Sequence, residues 1–395
     1  MPALNILVLT AHPPILGASG GAARMYYNLK ILASRHHVTL ISFVEQEAEQ
    51  PRLADLASLG IEVKTVLRRA EPARHLWMPK PHEYDEFASA EFRARVQQTL
   101  DTRSFDVIQA EFFQMAQHVP LDRPVLRILT EHEIIFSNCR SAFEAETNWW
   151  RKWVKGYDWL VQLNYEARGC RNFHRIACMT EEDRMILSRF VSPARLRAVP
   201  IGVDSSYFDP QQVAAEQSAQ RMLFVGNYRH PPNGDAVHFF VREVLPRVRQ
   251  EVPDAEFCIA GSNVSLLDQR IAANVDGVRV IGYVPDIRQC YRSAAVFVAP
   301  IFTGTGMRVK LLEALSMGMA VVATPLAAQG FRAKHGQAML TAQDAQAFAE
   351  KVVELLKNPE LRSSLGINAR RMIQEQYDWN VIARQFLDLV EDPDG

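Results

Sequence analysis

Short apolar runs rich in valine and isoleucine alternate along the chain with longer stretches of mixed apolar and polar positions. Apolar runs of strand length, unrelieved by alternation, mark parallel strands covered by helices on both faces. In the first half they fall at 5–11 (NILVLTA), 37–44, 61–67, 105–112, 125–132, 175–180 and 196–202. The pattern lapses beyond 203, where VDSSYFDPQQVAAEQSAQR joins turn residues to a polar tract and reads as a linker. A second series follows at 221–227, 256–261, 278–284, 296–301, 320–326 and 338–342. Helical periodicity then runs over 344–358 and 360–376 and ends in the amphipathic stretch WNVIARQFLDLVE. The expectation is an α/β protein with two doubly wound domains on parallel sheets. Its ligands would lie in a cleft outside the carboxyl ends of the strands.

The length supports that division, because 395 residues exceed what one ordinary core organises. We place a first domain at 1–203, a linker at 204–220, a second domain at 221–376 and a separate closing helix at 377–395. Hydrophobic residues make up 48% and charged residues 23%, with a formal net charge of −1, so overall charge gives no footing for nucleic acid. The five cysteines are scattered, without a CxxC pair, and fit reduced thiols acting as small buried groups. The first residues, MPALNILVLTAH, lack a basic leader, and no run approaches the roughly 18 apolar residues of a membrane span. A cytoplasmic protein is the expectation.

Three places invite chemistry. The first is HPPILGASGGAAR (12–24), where Gly20 and Gly21 open a helix and let backbone amides approach an anion. It lacks GxGxxG spacing, and a strand–helix turn with no ligand remains open there. The second is TEHEI (130–134), which sets His132 at a strand's carboxyl end. One of the flanking carboxylates, Glu131 or Glu133, is placed to orient the ring, and a loop histidine bonded only to backbone stays open. The third is VFVAPIFTGTGMRVKLLEALSMG, a strand, a glycine loop and an apolar helix. Amides at that helix start make an anion site. Arg308 and Lys310, expected in the first turn, oppose the helix dipole unless an anion is near. Glu313, expected about two turns in, suits a vicinal diol such as a ribose. No cluster has metal spacing, and neither GxSxG nor GxxxxGK[ST] occurs, so no metal site and no cofactor is expected.

In order along the chain, GGAAR, FDVIQAE, LTEHE, YEARGCRNFHRIACMTEEDRMIL, VPIGVDSSYFDP, LFVGN, VIGYVPDI, GTGMRVKLLEALSMGMAVVATPLAAQG and YDWNVIARQFLDL resemble the retaining glycosyltransferases of the GT-B fold, family four, glycosyl transferases group 1. The likeness spans nearly the whole chain and is closest to a subgroup with PPN, here Pro231-Pro232-Asn233, and the GxGxRxKxLEA motif. It implies two Rossmann-like, doubly wound domains facing across a cleft, with the last helix crossing back to the first domain. It implies sugar transfer from a nucleotide diphosphate-sugar donor to a glycan, lipid-linked or small-molecule hydroxyl, with retention and without metal. By the same likeness, Gly20 and Gly21 approach the donor diphosphate and His132 sits beside the transferred sugar. Gly304, Thr305, Gly306 and Met307 cradle phosphate and sugar, Glu313 binds the ribose, and Tyr283 and Val284 border the base.

Two departures from the family pattern matter. The family has Glu, seven residues, Glu, and Thr305 stands where the first Glu belongs. The Arg and Lys that follow the second domain's first strand are replaced around Asn227 and Pro232–Asn233. The cation for the leaving diphosphate is therefore expected from Arg308, with Lys310 or Arg229. Two rivals stay open: a nucleotide-sugar 2-epimerase of the same fold and a sugar-binding protein without catalysis.

ETNWWRKWVKGYDWLVQ (146–162) mixes four tryptophans with Arg151, Lys152 and Lys155. Either the tryptophans pack inside or line the acceptor side, or Trp149, Trp150 and Trp153 make a peripheral membrane contact. The first reading, packed or lining the acceptor side, is the preferred expectation.

Overall fold

The computed structural model describes residues 2–16, 20–69, 81–214, 216–267, 275–304, 306–331 and 336–392. They form two compact units, one of 1–200 with 383–395 and one of 201–382.

In the first unit seven strands form a parallel sheet in the order β3-β2-β1-β4-β5-β6-β7. They are β1 Asn5–Thr10, β2 His37–Val44, β3 Glu62–Leu67, β4 Val107–Glu111, β5 Leu126–Thr130, β6 Arg175–Cys178 and β7 Leu196–Ala198. Ile6, Leu7, Val8 and Leu9 of β1 are all buried, as a strand covered on both faces requires. The sheet is entered at its middle, and the chain reverses its direction of travel between β1 and β4. That reversal opens a crevice at the carboxyl ends of these two strands. Helix α1, Gly20–Ala33, starts there after β1. Two further helices, α2 Ile135–Ala145 and α3 Trp149–Cys170, pack against each other after β5.

The second unit repeats the plan with six parallel strands in the order β10-β9-β8-β11-β12-β13. They are β8 Ser218–Asn227, β9 Glu256–Ser262, β10 Val278–Gly282, β11 Ala294–Ala299, β12 Ala320–Ala323 and β13 Leu340–Thr341. Strand β8 starts at Ser218, so the end of the segment read as linker is already sheet. The reversal here lies between β8 and β11, and α4, Val309–Ser316, follows β11. Helices α5 Ala345–Lys357, α6 Pro359–Gln376 and α7 Trp379–Glu391 complete the chain, with α7 belonging to the first unit from Ala383 onward.

The second unit is fastened where the chain enters and leaves it. Val203 N donates to Tyr377 O at 2.8 Å, and Trp379 N donates to Val203 O at 3.2 Å. Ser205 Oγ donates to Asp378 Oδ2 at 2.5 Å. The Trp379 ring lies so close over Gly202 that an added Cβ would meet it at 2.7 Å. In the first unit, Arg175 donates to the Leu389 carbonyl at 2.6 Å and His36 meets Glu391 at 3.1 Å, which ties down the end of α7.

All five cysteines are free thiols, and four of them are buried. Among the described residues, no helix is long and apolar enough to cross a membrane.

Candidate functional site

In the first unit the sheet crevice is built around a buried ring. His132 follows β5, and its Nε2 meets Glu111 Oε2, at the end of β4, at 2.7 Å. The other oxygen of Glu111 accepts from Gln109 Nε2 at 2.6 Å and from Asn28 Nδ2 of α1 at 3.1 Å. Gln109 and Glu111 are two apart on one strand, which places both side chains on the same face. Phe112 lies flat against the histidine, with centroids 3.8 Å apart and planes 9° from parallel. Its φ of 74° is unusual for a residue with a Cβ and stores about 1–3 kcal/mol of strain, held by a bond from its N to Thr130 O at 3.0 Å.

Burial lowers the pKa of His132, while the bond to Glu111 pulls the other way. With Nε2–H donating to Glu111, the neutral ring leaves Nδ1 as a lone-pair acceptor. Nδ1 faces the first turn of α1, since a Cβ added to Gly21 would lie 3.7 Å from it and 2.9 Å from Phe112 Cζ. The structure thus brings Gly21 and His132 together, with Gly20 opening the same turn. Residues 17–19 of that loop lie outside the described residues. Arg24, also on α1, is fully buried, donates to Val199 O at 2.7 Å and touches Met179 Sδ. Burial pulls it down to about 10, with Glu111 acting upward.

The expected partners of His132 were the wrong carboxylates. Glu131 and Glu133 are engaged elsewhere. Glu131 is buried against Cys170, 3.7 Å away, and burial pushes its pKa well up. Glu133 accepts from Asn138 Nδ2 at 2.8 Å.

In the second unit the loop after β11 reaches α4 through Gly304 and Gly306, with φ of 92° and 75°. Both values lie in the left-handed region that a Cβ disfavours. Thr305, between them, lies outside the described residues. Met307 is buried beneath the loop's end. Arg308 stands at the N-cap position without a side-chain cap bond, just before the first turn rather than in it, and Lys310 lies within that turn. Glu313 stands just beyond it, nearer the helix start than the two turns expected, because the helix begins only at Val309.

The Arg308 guanidinium folds back on the loop. Its NH2 lies 3.4 Å from Thr303 O, and a Cβ on Gly304 would stand 3.4 Å from both terminal nitrogens. Lys310 Nζ sits 4.4 Å over the Phe224 ring and donates to Asn233 Oδ1 at 2.5 Å. Asn233 donates to the Asn227 carbonyl at 2.7 Å, and Asn263 donates to Asn227 Oδ1 at 2.9 Å. The positions where the family pattern has cations are therefore amides, and Lys310 reaches back to one of them. Arg229 is exposed, with its backbone N bonded to Asn227 Oδ1 at 3.1 Å. Glu313 Oε2 accepts from Tyr291 OH at 2.7 Å.

Burial pulls Lys310 down to about 7, with Arg308 adding to the shift and Glu313 opposing it. Burial pushes Glu313 up to about 7, against the pull of Tyr291 and Lys310. Burial also lowers Arg308. Two like charges thus share a helix start whose own dipole disfavours them, an arrangement that an anion would relieve. Tyr283 and Val284 follow the edge strand β10, two strands away from β8. Tyr283 is 76% exposed and Val284 half-buried.

The sequence reading missed Glu111, Phe112, Asn28, Tyr291 and Phe224. A signal existed for Glu111, a carboxylate ending the apolar run of β4 in the way His132 follows β5. Of the preferred pair of expectations for the tryptophans, core packing holds for one residue only. Trp149, Trp150 and Trp153 are 62%, 65% and 73% exposed, and Trp159 alone of the four packs inward, 5.7 Å from Phe143. Among the described residues no group of three His, Cys, Asp or Glu side chains is placed to hold a metal ion.

The second unit's crevice, its glycine loop and its helix lie within one recognisable segment. Residues 219–358 match the family model for glycosyl transferases group 1. A phosphatidyl-myo-inositol mannosyltransferase of Mycobacterium leprae is 30% identical over 196 residues, 48% of this chain and 51% of its own length. The chain spans about half the length of the curated relatives it matches. Sucrose-phosphate synthase from Thermosynechococcus elongatus superposes with a TM-score of 0.71 at 16% identity, covering 98% of each chain. Anabaena Alr3699/HepE in complex with UDP does so with a TM-score of 0.72 at 14% identity, over 98% of this chain and 100% of its own. The fold is therefore that of the GT-B glycosyltransferases, and the sequence matches support the glycosyltransferase family.

Proposed function

We propose that the protein is a retaining hexosyltransferase that moves a sugar from a nucleoside-diphosphate donor to an acceptor hydroxyl, with no metal at the diphosphate. The observation that carries this reading is the placement of Arg308, Lys310 and Glu313 around the bare start of α4, inside the segment matched by the family. The UDP held by HepE and the activity named for the mannosyltransferase support a nucleotide-sugar donor and a sugar or lipid-borne acceptor.

Breaking the sugar–phosphate bond leaves negative charge on the diphosphate and positive charge at the anomeric carbon. The amides of Gly306 and Met307, the Arg308 guanidinium and the Lys310 ammonium stabilise the first. They carry the charge that a metal ion would otherwise balance. Glu313 takes two ribose hydroxyls, oriented by the Tyr291 hydroxyl. On the first unit, His132 is assigned the transferred sugar, its Nδ1 accepting from a hydroxyl while Glu111 fixes the ring. The acceptor oxygen bonds to the anomeric carbon on the face the phosphate leaves, and the departing phosphate oxygen takes the acceptor's proton. Retention then needs no second carboxylate.

A thermal-shift screen of UDP, GDP and their sugars in EDTA tests the reading. One nucleotide at about 100 times its Kd should add about 2.7 kcal/mol of stability. No stabilisation by any of them sinks the proposal.

A further inference from the structure

Apart from Trp159, which packs inward, the first half of α3 stands outside the core. Its buried residues, Gln162, Glu166, Ala167 and Cys170, all lie in the second half, and nothing from Trp149 to Val161 is buried. The exposed half carries Trp149, Trp153, Tyr157 and Leu160 at i, i+4, i+8 and i+11, which is one face of a helix, with Trp150 and Val154 alongside. Trp149 and Trp150 stack on each other at 4.6 Å. Below them a groove of about 480 Å³ is lined by Phe143, Gly156 and the indole face. The groove exists because α2 and α3 approach closely, since a Cβ on Gly156 would stand 3.1 Å from the Phe143 ring.

The charges carried by the first two turns of the helix itself are all positive. Arg151, Lys152 and Lys155 lie in its first two turns, which hold no acid before Asp158. Lys155 is partly offset by Glu146 at 2.8 Å, and Lys152 leans over Phe143 at 5.2 Å. The whole chain is nearly neutral, so the cationic character is local.

We propose that this half of α3 is a docking surface for an anionic lipid bilayer, lying in the plane of the interface with its indoles at headgroup depth. Tryptophan and tyrosine favour that depth, and flanking cations meet the lipid phosphates. A second copy is the poorer occupant, because it would set the same cations against each other. The inference does not depend on sugar transfer.

Vesicle sedimentation of the full chain is the test, with phosphatidylcholine alone and with phosphatidylglycerol added. We expect binding to the anionic vesicles that weakens as salt rises. A variant carrying Trp149→Ala, Trp150→Ala and Trp153→Ala should keep its melting curve and lose at least about tenfold in partition. Arg151→Ala with Lys152→Ala should lose about tenfold on anionic vesicles and nothing on neutral ones. No binding to anionic vesicles at low salt overturns the proposal, as does unchanged binding by the triple variant. Self-association removed by the triple variant, with no vesicle binding, also overturns it, in favour of a second copy. Nucleotide stabilisation of the triple variant, measured in parallel, shows whether the donor site stands independently.

Discussion

The two crevices stand at matching places in two similar sheets, yet they handle charge in opposite ways. Around His132, one carboxylate gathers the neighbouring donors: Glu111 accepts hydrogen bonds from His132, Gln109 and Asn28. Around Lys310, two cations crowd a helix start and burial weakens both. A network converging on one carboxylate fixes the direction of the ring before any ligand arrives. A frustrated cluster gives up stability that an anion restores. The first crevice is thus suited to aiming, and the second to gripping.

The comparison can be broken by substitutions that should act in opposite directions on the free protein. The largest effect belongs to Arg308→Ala. Turnover should fall by about 10²–10³, the range for losing one charge-stabilising donor, while the ligand-free melting temperature holds or rises. Normal turnover would remove Arg308 from the mechanism. Next is Glu313→Gln, which should weaken nucleoside-diphosphate binding by about 1.5–3 kcal/mol in calorimetry, the worth of a charged hydrogen bond. Equal affinity for nucleoside and deoxynucleoside diphosphates in the parent would deny the diol role.

Glu111→Gln should do the reverse of Arg308→Ala and lower the melting temperature, by about 1–3 kcal/mol of stability. It should also reduce kcat more than KM, and His132→Ala added to it should cost little more, because the two act as one. Full additivity would separate them.

The mildest effect is the pH dependence of donor binding. Lys310 sits at about 7, below its unfolded value, so it loses its charge as pH rises through 7. Glu313 sits at about 7, above its unfolded value, so it loses its charge as pH falls through 7. Affinity should therefore peak near neutrality. Lys310→Met should flatten the alkaline limb and Glu313→Gln the acid one. A single monotonic slope in the parent would contradict both assignments.

The strands were legible because burial on both faces leaves an unbroken apolar run. The crevice residues that end such runs, His132 above all, stood out as polar groups where the run stops. Glu313 and Lys310 were legible for a similar reason, as charges interrupting an apolar helix. Their partners were not. Glu111 meets His132 only because β4 and β5 are neighbours, and Tyr291 meets Glu313 from 22 residues away. Sequence adjacency favoured Glu131 and Glu133, and both are taken by other partners. Core packing of Trp149, Trp150 and Trp153 was the expectation least served by the sequence, since aromatic residues are more often buried than not and these three are exposed.

The clasp that joins Val203 to Tyr377 and Trp379 has a consequence for how the molecule could change over time. A segment whose two ends are pinned together can be exchanged as a cassette, since its replacement needs only to present its ends at the same spacing. Residues 201–382 meet that condition and hold Arg308, Lys310 and Glu313 between them. A lineage could trade one donor preference for another in a single recombination, leaving the ring of His132 and the aromatic face of α3 untouched.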